Sequence, residues 1–292
     1  MKSFKFFTEE FLAEEAEMIL EKLITFGGKA YPKFGNIVIM AGGAGSGKGF
    51  VLSNLIGMEG KTFDPDELKR LAGKSPLINK KVKEEFGVDL KELGSKLNVP
   101  ENVSKLHEII GDVLQLPSKR EAVFFTSVLT ADSARKPNII FDTTLKDASK
   151  LQKLSKQAID LGYDKKNIHI VWVVNDVQVA LDQNARRSRT VPAEILINTH
   201  RGASNTMGDI LRMGEILRKY MDGDLVFAFN KVGVDSKVVR SGRGGSYVKD
   251  ANYVYVKRAG KTLPPLDKLN KSMLAKVKSY VPKNIDWENL EL

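Results

Sequence analysis

The stretch Ile37-Val38-Ile39-Met40-Ala41-Gly42-Gly43-Ala44-Gly45-Ser46-Gly47-Lys48-Gly49-Phe50 decides how this chain is read. An apolar, β-branched run enters a glycine-rich turn and a lysine follows. Apolar residues at helical spacing (Phe50, Val51, Leu52, Leu55, Ile56) come next. Strand, loop and helix in that order, with Gly42, Gly47 and Lys48 spaced as G-x-x-x-x-G-K, predict a phosphate-binding loop. Glycines let successive backbone N–H groups approach phosphate oxygens that a side chain would hold off. The following helix and the Lys48 ammonium add positive charge, and Lys48 can reach the β- and γ-phosphates. The predicted nucleotide-binding residues are Gly42, Gly43, Ala44, Gly45, Ser46, Gly47, Lys48, Gly49 and Phe50. One position departs from the motif: Gly49 stands where a Ser or Thr hydroxyl would meet magnesium, and Ser46 inside the loop is no geometric substitute. Magnesium is then held by nucleotide oxygens, water and nearby carboxylates, or turnover is weak.

A length of 292 residues suits one large α/β domain with an extension, or two modest domains. A hydrophobic content of 42% supports a sizeable core, and a net charge of +10 points to an acidic partner: nucleotide, nucleic acid or anionic surface. Cysteine is absent, which excludes disulfides, zinc–thiolate sites and a thiol nucleophile. His107, His169 and His200 are too scattered for a histidine metal cluster. No apolar run reaches membrane-spanning length, and the first residues carry no cleavage site, so a soluble cytoplasmic protein with no membrane association is expected.

Residues 8–26 read as an amphipathic helix capped by Thr8 and ended by Gly27-Gly28. After the loop helix, Lys61-Thr62-Phe63 is a short strand, and residues 73–137 are mostly helical, with 103–116 and 119–130 the clearest pieces. Such an insertion either covers a substrate pocket or is plain helical packing. Strands at 138–141, 168–174 and 225–229 alternate with helices at 148–161 and 177–189, which predicts right-handed crossovers and a parallel sheet covered on both faces. Ligands bind beyond the carboxyl ends of such strands. The loop, Asp64, Asp66, Asp142, Asn175 and Asn230 all fall at that edge. Residues 232–257, with Gly242, Gly244 and Gly245, suggest a small antiparallel appendage, and residues 266–280 a lysine-rich helix. The expected division is a kinase-like α/β domain over 1–231 and a basic extension over 232–292.

Asp64 and Asp66 flank Pro65 and face one way in an extended loop. One carboxylate can take a proton from an acceptor hydroxyl while the other helps hold magnesium. Asp66 can equally cap the helix beginning at Glu67. Arg186 and Arg189, three apart around Arg187, share a helix face able to grip a triphosphate, or form a solvated face. Asp142 follows an apolar strand as a magnesium-binding carboxylate does. It can also bind substrate beside Thr143 and Thr144, or simply end the strand in a turn. Arg240, Arg243, Tyr253, Tyr255, Lys257 and Arg258 combine charge with aromatic faces suited to nucleic acid, although a solvated basic surface is the preferred reading.

Five pieces occur in order: residues 42–48, Asp64-Pro65-Asp66-Glu67-Leu68-Lys69, Ile139-Ile140-Phe141-Asp142-Thr143-Thr144, Arg186-Arg187-Ser188-Arg189-Thr190-Val191-Pro192, and Phe229-Asn230-Lys231. This ordered set resembles the zeta toxin-like family of P-loop kinases, including its phage-encoded relatives. The resemblance implies Asp66 as the base that deprotonates the acceptor. It implies Lys48, Arg186 and Arg189 as the groups that hold ATP phosphates, and an antitoxin-like protein partner. The family's acceptor, UDP-N-acetylglucosamine, is not carried over, because Asp142 stands where the family has glutamate and Gly49 departs at the metal position.

The expectation is a doubly wound parallel α/β sheet of P-loop kinase type, with a helical insertion and a small basic C-terminal extension. Its expected activity is magnesium-dependent transfer of the ATP γ-phosphate to a hydroxyl. Asp66, Lys48, Arg186 and Arg189 are catalytic, Asp64 and Asp142 hold metal, and Asp66, Asp142 and Thr143 contact the acceptor. The acceptor is a nucleotide sugar or nucleic acid. The alternatives are a polynucleotide or modified-base kinase, and a nucleotide-binding or assembly protein without turnover.

Overall fold

The computed structural model describes residues 24–29, 32–63, 71–72, 74–186, 190–229, 253–269, 271 and 277, and the backbone of 238–240 and 246–248. Asp64, Asp66, Arg187, Arg189, Asn230, Lys231, Arg243 and most of the expected helices 8–26 and 266–280 lie outside the described residues.

Three strands have continuous apolar sequences: β1 (Ile37–Ala41), β4 (Ile168–Val174) and β5 (Leu225–Phe229). Every residue of the three is buried, as strands covered on both faces must be. With β2 (Lys61–Phe63), β3 (Ile139–Asp142) and β8 (Tyr253–Lys257) they form one six-stranded sheet in the order β2-β3-β1-β4-β5-β8. The first five strands are parallel and β8 pairs antiparallel with β5. This is the doubly wound α/β architecture, with β1 flanked by β3 and β4, so the loop after β1 opens where the chain turns from one half of the sheet to the other.

Alternation along β1 feeds two cores. Ile37, Ile39 and Ala41 face α6 (Ala148–Asp160), α7 (Val177–Ala185) and α8 (Ala193–Arg212). Val38 and Met40 face Val51 and Leu55, on and just after α1 (Lys48–Asn54), together with Ile24 and Phe26. The α6 helix shows how locally determined these elements are. The Asp147 carboxylate caps its start by accepting from the Ser149 N–H, Leu151, Leu154 and Ala158 supply the buried stripe, and Gly162 (φ 81°) follows its end.

The insertion is helical as expected and has a core of its own around Val82, Leu90, Leu106, Ile109 and Ile110. It comprises α2 (Pro76–Phe86), α3 (Leu90–Ser95), α4 (Pro100–His107) and α5 (Leu116–Leu129). The helix expected over 103–116 is instead the end of α4 followed by a π-helical stretch, Glu108–Val113. It stops before Gln115, whose φ of 49° makes the bend that lets Pro117 open α5.

Three further differences stand out. Ile24 and Phe26 make β-bridges to Ile56 and Lys29 rather than ending a helix. Residues 193–212, where no element is expected from the sequence, form the longest helix described. A hairpin of β6 (Val238–Arg240) and β7 (Ser246–Val248) matches the expected appendage, but β8 does not belong to it. That strand extends the main sheet, so hydrogen bonding crosses the boundary expected after residue 231.

Candidate functional site

The loop leaves β1 beside the ends of β3 and β4, where Met40 lies in register with Asp142 and Ala41 with Trp172. Gly42 has φ 142°, and a Cβ there would sit 2.7 Å from the Val173 carbonyl oxygen, so only glycine lets the chain turn so close to β4. The Gly42 N–H donates to the Thr144 carbonyl and the Thr143 N–H to that of Met40. These bonds tie the loop to the Asp142-Thr143-Thr144 turn.

Lys48 Nζ donates to the carbonyls of Gly42 (3.0 Å) and Gly43 (3.3 Å) and lies 3.8 Å from Asp142 Oδ1. Both side chains are mostly buried, at 13% and 21% exposure, so the charges meet in a setting that screens less than bulk water. Two of the predicted site residues, one opening α1 and the other ending β3, are thereby brought together. Thr143 takes a local role, its Oγ1 accepting from the Leu145 N–H. A Cβ at Gly49 would meet no atom within 4 Å.

The outer side of the loop is held by Thr199 and His200, for which the sequence suggests no site role, and by Asn175, which is expected at this edge. The Ala44 N–H donates to Thr199 Oγ1 (2.9 Å), and His200 Nε2 donates to the Ala44 carbonyl (2.8 Å). Asn175 Nδ2 donates to the Gly45 carbonyl at 3.2 Å. Burial and the nearby Lys48 charge hold the His200 pKa below its ordinary 6.5, against the hydrogen bond to Ala44 and the Asp176 charge. The imidazole is therefore neutral, with its proton on Nε2. The signal that could have found His200 is the stripe Leu196, His200, Ala203, Met207 and Ile210, spaced for one helix face.

Arg186 caps the C-terminal end of α7 and is exposed. The chain beyond it is anchored on both sides. The Asn184 side chain bonds both main-chain groups of Val191 (2.7 and 2.9 Å), while Thr190 bonds the Leu97 and Asn98 carbonyls of the insertion (3.0 and 2.8 Å). Thr190 thus joins α7's trailing chain to the insertion.

The aromatic and basic residues of β8 are engaged within the fold. Tyr255 OH bonds the main chain of Thr25, the Arg258 guanidinium lies 3.3 Å over the Tyr255 ring, and Lys257 is buried against Asp222 (3.1 Å). Lys257 is not part of a solvated basic surface, and one face of Tyr255 is already occupied. Among the described residues there is no group of three or more His, Cys, Asp or Glu able to hold a metal, and no helix long and apolar enough to cross a membrane.

No protein-family model matches this chain, and no curated protein matches it by sequence. Among solved structures, one described as AvrRxo1-ORF1:-ORF2 with ATP is similar over 92% of this chain and 70% of its own, at 14% identity and a TM-score of 0.42. The same complex with sulphate ions is similar over 95% and 73%, at 13% identity and a TM-score of 0.41. A structure from the PezAT chromosomal toxin-antitoxin system of Streptococcus pneumoniae is similar over 93% of both chains, at 14% identity and a TM-score of 0.37.

Proposed function

We propose that this protein is a phosphotransferase that binds ATP on the loop 42–50 and moves its γ-phosphate to a hydroxyl acceptor. The observation that carries the reading is the Lys48 ammonium, held over the loop carbonyls and beside Asp142 at the carboxyl edge of a parallel sheet. An ammonium there faces a phosphate seated on the loop amides, and phosphoryl transfer needs mainly positioning and charge stabilisation.

In the transfer, the acceptor oxygen bonds to the γ-phosphorus as the bond to the ADP oxygen breaks. The acceptor proton passes to the Asp66 carboxylate, and Lys48 with Arg186 and Arg189 stabilises the charge moving onto the leaving oxygens. Magnesium, when bound, neutralises the β- and γ-phosphate oxygens. Asp142 and Asp64 would hold it, with phosphate oxygens and water completing the set because Gly49 lacks a hydroxyl. Among the described residues Asp142, paired with Lys48, is the carboxylate at the loop that would enter such a set. A nucleotide sugar or a nucleic acid supplies the hydroxyl.

Gly49 favours a second reading, nucleotide binding without turnover. Purified protein offered ATP, magnesium and separate panels of nucleotide sugars, nucleosides and oligonucleotides decides between them. Phosphate appearing on one acceptor class supports the kinase and names its substrate. ATP binding with no transfer to any panel supports the second reading.

A further inference from the structure

We infer that Thr199 and His200 are positioning residues for the loop, gripping both main-chain polar groups of Ala44 and thereby aiming the neighbouring peptide groups at the nucleotide. The inference rests on the reading of residues 42–50 as the nucleotide site and extends it to α8.

The hydrogen bonds have a defined sense. Thr199 Oγ1 donates to the Leu196 carbonyl (2.7 Å), so its lone pairs are left to accept from the Ala44 N–H. His200 Nε2 carries the proton donated to the Ala44 carbonyl. Peptide planarity then fixes the two adjoining units. With the Ala44 N–H turned to α8, the trans Gly43 carbonyl points the other way, to Lys48 Nζ at 3.3 Å and the Ser46 N–H at 3.2 Å. With the Ala44 carbonyl turned to His200, the Gly45 N–H likewise points away from α8, and among the described residues it makes no hydrogen bond. Two side chains on one helix therefore set one lysine-binding carbonyl and one open donor. Gly43 completes the clamp, since a Cβ there would overlap the His200 imidazole. His200 is only 6% exposed, so the ring has no room to swing aside.

A merely structural pair would anchor α8 without affecting nucleotide. The test separates the two roles by measuring the ATP dissociation constant, with magnesium, by calorimetry at a temperature where circular dichroism shows each variant folded. Thr199→Val and His200→Ala are expected to weaken ATP binding tenfold or more, and Thr199→Ser, which keeps the acceptor, to stay within threefold of wild type. Gly43→Ala is expected to weaken binding tenfold in wild type and to add nothing in the His200→Ala background, where the imidazole is gone. Should one of Thr199→Val and His200→Ala fail to fold, the other decides by the same thresholds, and should both fail, Thr199→Ala and His200→Gln take their places. Folded variants that bind ATP within twofold of wild type, or Gly43→Ala and His200→Ala losses that simply multiply, would overturn the positioning role while leaving the site reading intact. A wild-type protein that does not bind ATP at all overturns the site reading, and this inference with it.

Discussion

Lys48 Nζ lies 3.8 Å from Asp142 Oδ1, although 94 positions separate them in the chain, because β1 and β3 are parallel neighbours with Met40 and Asp142 in register. The pairing places one cation and one carboxylate at the loop before any ligand arrives. At 3.8 Å the attraction between these two mostly buried charges is largely offset by the cost of desolvating them. The pair therefore matters for where its charges point more than for holding the fold together.

Removing the ammonium should accordingly cost binding rather than stability. Lys48→Ala is expected to weaken ATP binding by roughly 10- to 100-fold, the worth of about 1.5–3 kcal/mol for charge-assisted hydrogen bonds. Its melting temperature should move by no more than a few degrees. Calorimetric titration beside a thermal melt checks both.

Gly49 lies in the first turn of α1, and a Cβ there would meet nothing within 4 Å. Gly49→Ser should be accommodated and stabilise the protein by about 0.3–0.5 kcal/mol through helix propensity. It should also restore a hydroxyl beside Lys48 and sharpen the magnesium dependence of ATP binding. Titrating ATP with and without magnesium tests this: an unchanged magnesium effect would mean that position 49 does not face the metal.

Stability should fall on mild acidification. His169 and His200 are buried and neutral, burial pulling both below the ordinary 6.5. Below that value the unfolded chain binds protons that the folded chain does not. The contribution is therefore complete above pH 6.5 and is lost as pH drops, by up to about 1.4 kcal/mol per unit per histidine. Burial alone would raise Asp224, but bonds from His169 and the N–H groups of Gly27 and Ala259 hold it lower, so its contribution disappears only in stronger acid. Urea midpoints at pH 7.5 and 5.5 should differ, and the difference should shrink in His169→Gln.

The chain should not fold if cut after residue 231. That cut removes β8, which pairs with β5, and Lys257, whose Nζ bonds Asp222 and the Gly223 carbonyl. It also removes Leu263, Leu269 and Val277, which are buried in the larger core. A truncated protein lacking a cooperative melt is the expected result. A sharp transition near that of the full chain would show that residues 1–231 fold without β8.

What could be read in advance follows the physics of each element. Strands β1, β4 and β5 were legible because burial on both faces demands unbroken apolar runs. Asp142 was legible because it closes such a run. The α8 helix was not, since Thr199, His200, Ser204 and Thr206 dilute its apolar stripe, and Thr199 and His200 make their long-range hydrogen bonds to Ala44, far away in the chain. The alternation of Tyr253, Val254, Tyr255 and Val256 within the expected appendage is that of a strand, β8. Its partner, β5, is a long-range choice that periodicity does not encode.

Transfer of phosphate is tested most directly with γ-labelled ATP. Wild-type protein with magnesium and the acceptor panels should move label onto one acceptor class. Lys48→Ala and Asp66→Asn, each still folded, should reduce transfer by at least 100-fold. ATP that binds yet never yields label, or transfer untouched by Asp66→Asn, would contradict the account.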